Sequence, residues 1–163
     1  MSTDGSHNTF IDKRGRGFRI EPGGFRDSPR LLHMYLYDTP IKISQGLPPE
    51  GEPACRAWID GLMRHGVNIL ARQGERVVGH AALMPDMNYE DAEYLIFICQ
   101  PYRGQGLGTE LTRIALATAR EMGLGRIWLT VEGHNFRAIR LYRKFEFIFR
   151  DDGGWERMMV LDL

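Results

Sequence analysis

The segment Arg103-Gly104-Gln105-Gly106-Leu107-Gly108 carries the clearest chemistry in this chain. It follows the apolar run Leu95-Ile96-Phe97-Ile98-Cys99 and opens a long amphipathic stretch. Amides at a helix start have no intrahelical acceptor and lie at the positive end of the dipole, which suits a phosphate. Glycine lets the anion come close because it has no Cβ. Glycines alone fit a plain structural turn equally well, so the spacing has to decide. A dinucleotide fingerprint counted from Gly104 needs glycine at Thr109, and counted from Gly106 it needs glycine at Leu111. A P-loop needs Lys followed by Ser or Thr, and the segment has no Lys. Both nucleotide readings fail. His80 and His134 have no second ligand at metal spacing, so no metal is expected. Cys55 and Cys99 sit in apolar-periodic stretches and read as buried thiols.

A loop of this kind needs a strand before it and a helix after it, and the flanking pattern supplies both. The 163 residues suffice for one domain: residues 1–16 are polar and glycine-rich and read as a flexible tail, and 17–163 as a single domain. The formal net charge is zero, which gives no support to a nucleic-acid or membrane-surface role. No apolar run approaches a membrane span and the start lacks a signal-peptide core, so a cytoplasmic setting is expected. Strands are expected over Phe18–Glu21, Asn68–Ala71, Arg76–Leu83, Ala92–Cys99 and Ile127–Val131, with a final hairpin over 147–161 turned by Asp152-Gly153-Gly154. The run ending at Cys99 fits a strand covered on both faces. Helices are expected after an Asp27 or Ser28 cap, over Ala54–His65, from the glycine loop to Met122, and over Asn135–Phe145. The third helix shows an inner stripe of Leu107, Leu111, Ile114, Thr118 and Met122, with Leu116 on its outer side. Thr39–Gly51 reads as a long loop. The strand–helix–strand unit over 92–131 requires a parallel pair with a right-handed crossover, and the hairpins require antiparallel pairs. The fold class expected is α/β with a mixed, mostly antiparallel sheet and helices on both faces.

A second block, Asn135-Phe136-Arg137-Ala138-Ile139-Arg140-Leu141-Tyr142, continues to Phe147. Together with Arg103, Gly106 and Gly108, its residues Asn135, Ala138, Leu141, Tyr142 and Phe147 make the chain resemble the GNAT superfamily of N-acetyltransferases. The family's first block is Gln or Arg, two residues, Gly, one residue, then Gly or Ala. Its second runs from Asn through Leu-Tyr to Gly-Phe. One residue departs: Glu146 stands where the family has glycine, at the helix exit where a left-handed residue is usual. The resemblance is dense from Ala92 to Phe147 and thin from Phe18 to Leu83.

The resemblance implies acetyl-CoA as co-substrate, with the amides of Gly104, Gln105, Gly106, Leu107, Gly108 and Thr109 around its pyrophosphate. It implies Phe97, Ile98 and Cys99 along its pantetheine arm, and Asn135 as a coenzyme contact, a helix cap or both. Acyl transfer needs a neutral amine, donors for the carbonyl oxygen and help for the leaving thiolate. By the same resemblance Tyr142 is the acid and the amide of Ile98 or Cys99 the oxyanion donor. Glu93 is the nearest match to the base, beside its reading as a solvated strand-edge glutamate; Glu132 is a weaker fallback. Arg140, Arg143 and Lys144 read as solvated charges rather than coenzyme ligands. The acidic run Asp86, Glu90, Asp91 favours a cationic acceptor, a small-molecule or protein amine. Two other readings stay open: a transferase using another acyl-CoA, and a CoA-binding regulatory module without turnover. Exposed final strands leave a homodimer open.

Overall fold

The computed structural model describes residues 8–38, 48–150 and 153–163. Its eight strands form one sheet: β1 (Asn8–Ile11), β2 (Gly17–Gly23), β3 (Val67–Gln73), β4 (Arg76–Pro85), β5 (Asp91–Ile98), β6 (Arg126–Glu132), β7 (Ile148–Phe149) and β8 (Glu156–Asp162). The spatial order is β1-β2-β3-β4-β5-β6-β8-β7, with β5–β6 the parallel pair and every other neighbour antiparallel. The helices are α1 (Ser28–Tyr37), α2 (Glu52–His65), α3 (Leu107–Glu121) and α4 (Phe136–Lys144). The mixed sheet and its single parallel crossover are as the sequence requires.

Alternation along β4 and β5 assigns the helices to faces, because successive side chains point to opposite sides. His80 and Phe97 meet Tyr35 of α1, at ring-centroid distances of 5.8 and 5.4 Å. Their neighbours Gly79 and Ile98 meet α3 on the other side. A Cβ at Gly79 would stand 3.1 Å from Leu111 Cδ1, so this glycine sets how closely α3 can approach. On that side α4 joins α3: its Tyr142 ring is 6.5 Å from that of Tyr94.

Four expectations need correction. Residues 8–16 are not a tail. Asn8–Ile11 pairs with Ile20–Gly17, and Phe10 lies 6.3 Å from Phe18, so two aromatic rings hold a strand that its polar surroundings concealed. Residues 1–7 lie outside the described residues, as do Thr39–Leu47 of the expected loop and Asp152 of the expected turn. Asp27 does not cap α1 by a side-chain bond; its carboxylate accepts from the Gly24 amide at 2.9 Å and from Arg72 Nη2 at 2.5 Å. On α3 the buried residues are Leu107, Leu111, Thr112, Ala115, Leu116 and Ala119. Leu116, off the expected stripe, is buried all the same, and Lys144, Phe145 and Glu146 at the exit of α4 share a surface groove with it. The stripe of large residues missed the two alanines that lie against the core. Finally, β5 is not covered on both faces: Leu95, Ile96 and Ile98 stay half-buried, and the cause is the site itself.

Candidate active site

The parallel pair β5–β6 is matched only at Asp91–Arg126, Ala92–Ile127 and Glu93–Trp128, although both strands run on. Beyond Glu93 they part, and a cleft of about 1300 Å³ opens between them. That exceeds the usual 300–1,000 Å³ of a single small-ligand site. The edge of β5 facing the gap follows from hydrogen-bond alternation. Cys99 donates its amide to Val78 O at 2.9 Å, and Asp91 O accepts from Asp86 at 2.9 Å. In an antiparallel pair every second residue bonds the partner strand, so residues 91, 93, 95, 97 and 99 turn their backbone to β4. The intervening residues, including Ile96 and Ile98, turn theirs towards the gap. Of the two oxyanion donors expected, Cys99 is therefore excluded: its amide is bonded to β4 and its side chain fully buried. Ile98 has the right orientation.

At one end of the gap lies the glycine loop. Gly104 (φ 71°) and Gly106 (φ 100°) both adopt the left-handed conformation, which glycine takes at no steric cost. The turn brings α3 to its start, where Glu110 makes the first helical bond to Gly106 O at 3.1 Å. The amides of Leu107, Gly108 and Thr109 precede that bond and belong to the helix's unpaired first turn. Arg103 is not free to follow a ligand: its Nε donates to Ile98 O at 2.7 Å, and its guanidinium carbon lies 5.4 Å from the Phe97 ring. It ties the loop to the end of β5. Burial and then the neighbouring charge of Arg137 lower its pKa from the ordinary value, so two cations crowd this end of the cleft. Left-handed glycines, outward amides and crowded cations fit a polyphosphate.

Tyr142 is buried on α4 between Tyr94 and Phe147, yet it lines the gap. Burial pushes its phenol well above the ordinary value, so it stays protonated across the physiological range. Glu93 projects towards the α1 face of the sheet, opposite to Tyr94, and marks the last matched position before β5 and β6 part. Burial raises its carboxyl pKa, in the direction a base working near neutral pH requires. Tyr142 and Glu93 thus approach one gap from opposite faces of the sheet. Asn135 caps α4, accepting from the Ala138 amide at 3.2 Å, and it also borders the cleft. Glu132 borders it too, 3.2 Å from His134 Nε2.

Phe97, Ile98, Arg103, Gly104, Gln105, Gly106, Gly108, Thr109 and Asn135 border the cleft, but the Phe97 backbone, expected along the pantetheine arm, is turned to β4 like that of Cys99. Cys99 and the side chain of Leu107 do not border it, being core residues. Arg140 and Lys144 border the cleft, whereas Arg143 sits 5.5 Å from the Phe149 ring. What the sequence did not reveal is the contribution of Asp12, Lys13 and Arg14 from the β1–β2 turn. The glycine at 15 after a charged run was the only sign of a turn there.

A sheet parted at one parallel pair, with a glycine loop at its end, can hold a phosphate-bearing ligand between its strands, and sequence comparison gives the family that this chain belongs to. Residues 34–147 match the model of the acetyltransferase (GNAT) family, and the chain belongs to that family. It is 37% identical to streptothricin acetyltransferase of Streptomyces lavendulae over 90% of this chain and 73% of that protein. It is 30% identical to L-methionine sulfoximine/L-methionine sulfone acetyltransferase of Pseudomonas paraeruginosa, over 78% of each. Among solved structures, yncA of Salmonella typhimurium with its cofactor acetyl-CoA superposes with a TM-score of 0.67 at 18% identity, covering 90% of this chain and 94% of that one. The GNAT domain of S. lividans PAT gives 0.74 at 16% identity, covering 96% and 97%.

Proposed function

We propose that this protein transfers the acetyl group of acetyl-CoA to a primary amine on a small molecule. The observation that carries the reading is the parting of β5 from β6 at Glu93, with Tyr142 and Glu93 reaching one gap from opposite faces. The glycine loop and the start of α3 hold the pyrophosphate, and the gap-facing backbone of Ile96 and Ile98 aligns the pantetheine arm. The coenzyme supplies an acetyl thioester at the gap. A lysine-type amine, with pKa about 10.4, arrives protonated, and Glu93 takes its proton directly or through water. The Ile98 amide meets the negative charge that builds on the carbonyl oxygen. The freed amine attacks the thioester carbonyl and loses its second proton to water as the C–S bond breaks, while Tyr142 gives its proton to the departing sulfur and is restored from solvent.

Two things favour a small, cationic acceptor. The relatives matched over most of this chain are named for streptothricin and for methionine sulfoximine. Glu93, Glu132 and Glu156 border the cleft, and carboxylates concentrate ligands of positive charge. The test is release of free thiol from acetyl-CoA in the presence of a panel: streptothricin, methionine sulfoximine, simple polyamines, and peptides with a free amino terminus or lysine. Thiol release with at least one small amine, and faster than with the peptides, is expected. Release only with peptides would move the acceptor to protein amines. Tight coenzyme binding without release for any amine would leave a CoA-binding regulatory module instead, and release only from a longer acyl-CoA would change the donor.

A further inference from the structure

The turn between β1 and β2 borders the cleft, yet the reaction above gives it no part. It is a built turn. The Asp12 side chain, fully shielded from solvent, accepts from the amides of Arg14 and Arg16 at 2.9 Å each and from Arg16 Nε at 2.8 Å. Burial alone would raise its pKa, but the bonds from Arg16 and Arg14 outweigh that and hold the carboxyl below its ordinary value. Gly15 closes the turn at φ 79°, donating to Asp12 O at 2.9 Å.

The turn is also fastened to the glycine loop. Lys13 donates its amide to Gln105 O at 3.1 Å, in the middle of the loop. Arg16 donates from both Nη atoms to Pro101 O at 3.3 Å, and its guanidinium carbon lies 4.6 Å from the Tyr102 ring centroid. A Cβ at Gly106 would stand 3.4 Å from Phe10 Cζ, so β1 packs directly against the residue that precedes α3. Lys13 and Arg14 are exposed at the cleft's rim, and among the described residues neither takes part in an ion pair. Two cations are thus held on a hydrogen-bonded turn beside the glycine loop, at a cleft that Arg137 and Arg140 of α4 also border.

We propose that the β1–β2 turn is a third wall of the coenzyme site, in which Lys13 and Arg14 bind coenzyme phosphate. The proposal rests on the coenzyme A reading above. The phosphate is either the pyrophosphate in the glycine loop or the 3′-phosphate of the adenosine, and both are anions this turn suits. Exposed charges act through a screened field, so the contribution fades as salt shortens the Debye length from about 10 Å at 0.1 M to about 3 Å at 1 M.

The experiment is calorimetric titration of the full chain with CoA and with 3′-dephospho-CoA, at low and high salt, for the parent and for the double substitution Lys13→Gln/Arg14→Gln. The double substitution is expected to weaken CoA binding at least about fivefold at low salt, with the gap narrowing at high salt. Loss confined to CoA assigns the 3′-phosphate; equal loss with both ligands assigns the pyrophosphate. The charge-preserving Lys13→Arg/Arg14→Lys protein should bind as the parent does. Parent-like binding by the double substitution overturns the proposal and leaves the coenzyme reading standing. Equal weakening in the charge-preserving protein would also overturn it, since the turn would then act through its shape. A parent that binds neither ligand overturns both readings.

Discussion

Tyr142 shows how a residue's role depends on what surrounds it. Its phenol is among the most buried polar groups at the cleft, flanked by the rings of Tyr94 and Phe147 at 6.5 and 5.8 Å. Those contacts fix the ring, and burial keeps the hydroxyl protonated. A positioned general acid contributes about a hundredfold or more, although a thiolate leaves with less help than an alkoxide. Tyr142→Phe is therefore expected to lower kcat by at least about tenfold with the KM for acetyl-CoA nearly unchanged. Steady-state kinetics with a competent acceptor checks this, and an unaltered kcat would remove Tyr142 from the chemistry. The second block singled out this tyrosine from sequence alone. Cys99, singled out in the same way, was lost because the register with β4 claims its amide, and register is not visible in a string of residues.

At the scale of elements, the exit of α4 accounts for the one departure from the family's motif. Glu146 adopts φ 68°, and the bonds Glu146 N to Arg143 O and Phe147 N to Tyr142 O, at 3.1 and 3.2 Å, form a Schellman cap. The helix thus ends as it would with glycine, and Glu146 carries the strain. The same cap sets Phe147 against the Tyr142 ring, so the helix end and the setting of that ring are built together. A left-handed residue bearing Cβ costs about 1–2 kcal/mol, and glycine gives back about 0.5–1 through a looser unfolded chain. Glu146→Gly should therefore stabilise by up to about 1 kcal/mol and raise Tm by about 2–4 °C, read by thermal unfolding. A fall in Tm would mean that Glu146 makes a compensating contact. The β1 strand is the opposite case. Its pairing depends on Phe10 finding Phe18 and the glycine loop, and no local pattern encodes that meeting.

For the molecule as a whole, a buried polar chain joins four elements, α1, α2, β3 and β4, on the sheet's α1 face. Asn68 Nδ2 donates to Leu62 O at 2.9 Å and Gly66 O at 3.2 Å, which leaves its Oδ1 to accept from His80 Nε2 at 2.8 Å. His80 Nδ1 then accepts from the Tyr35 hydroxyl at 2.7 Å. Every polar group is satisfied with the imidazole neutral, and burial lowers its pKa to about 3. In the unfolded chain the same histidine titrates near its ordinary 6.5. Between those values the unfolded state binds the extra proton, so this site's stabilisation is intact above pH 6.5 and is lost as pH falls. The slope is about 1.4 kcal/mol per pH unit. Urea unfolding from pH 7 to 5 should show this decline, and His80→Gln should flatten it; an equal decline in both proteins would assign the acid sensitivity elsewhere.

Local chemistry and strong periodicity made much of this molecule legible in its residues. Gly104 and Gly106 announced a turn that only glycine makes cheaply, the run into Cys99 announced a strand, and the Asn135 block announced a capped helix carrying Tyr142. The order of these elements then required one parallel pair in a mixed sheet. Tertiary structure decided where that pair ends. The separation of β5 from β6 after Glu93 is a property of two strands and of the helices packed on them, and no residue of either strand signals it. It also decided that Glu93 and Tyr142 share a gap from opposite faces, that Ile98 rather than Cys99 turns its amide inward, and that Lys13 reaches the glycine loop. Each is a contact between segments distant in sequence, fixed by burial and register after the local elements have formed.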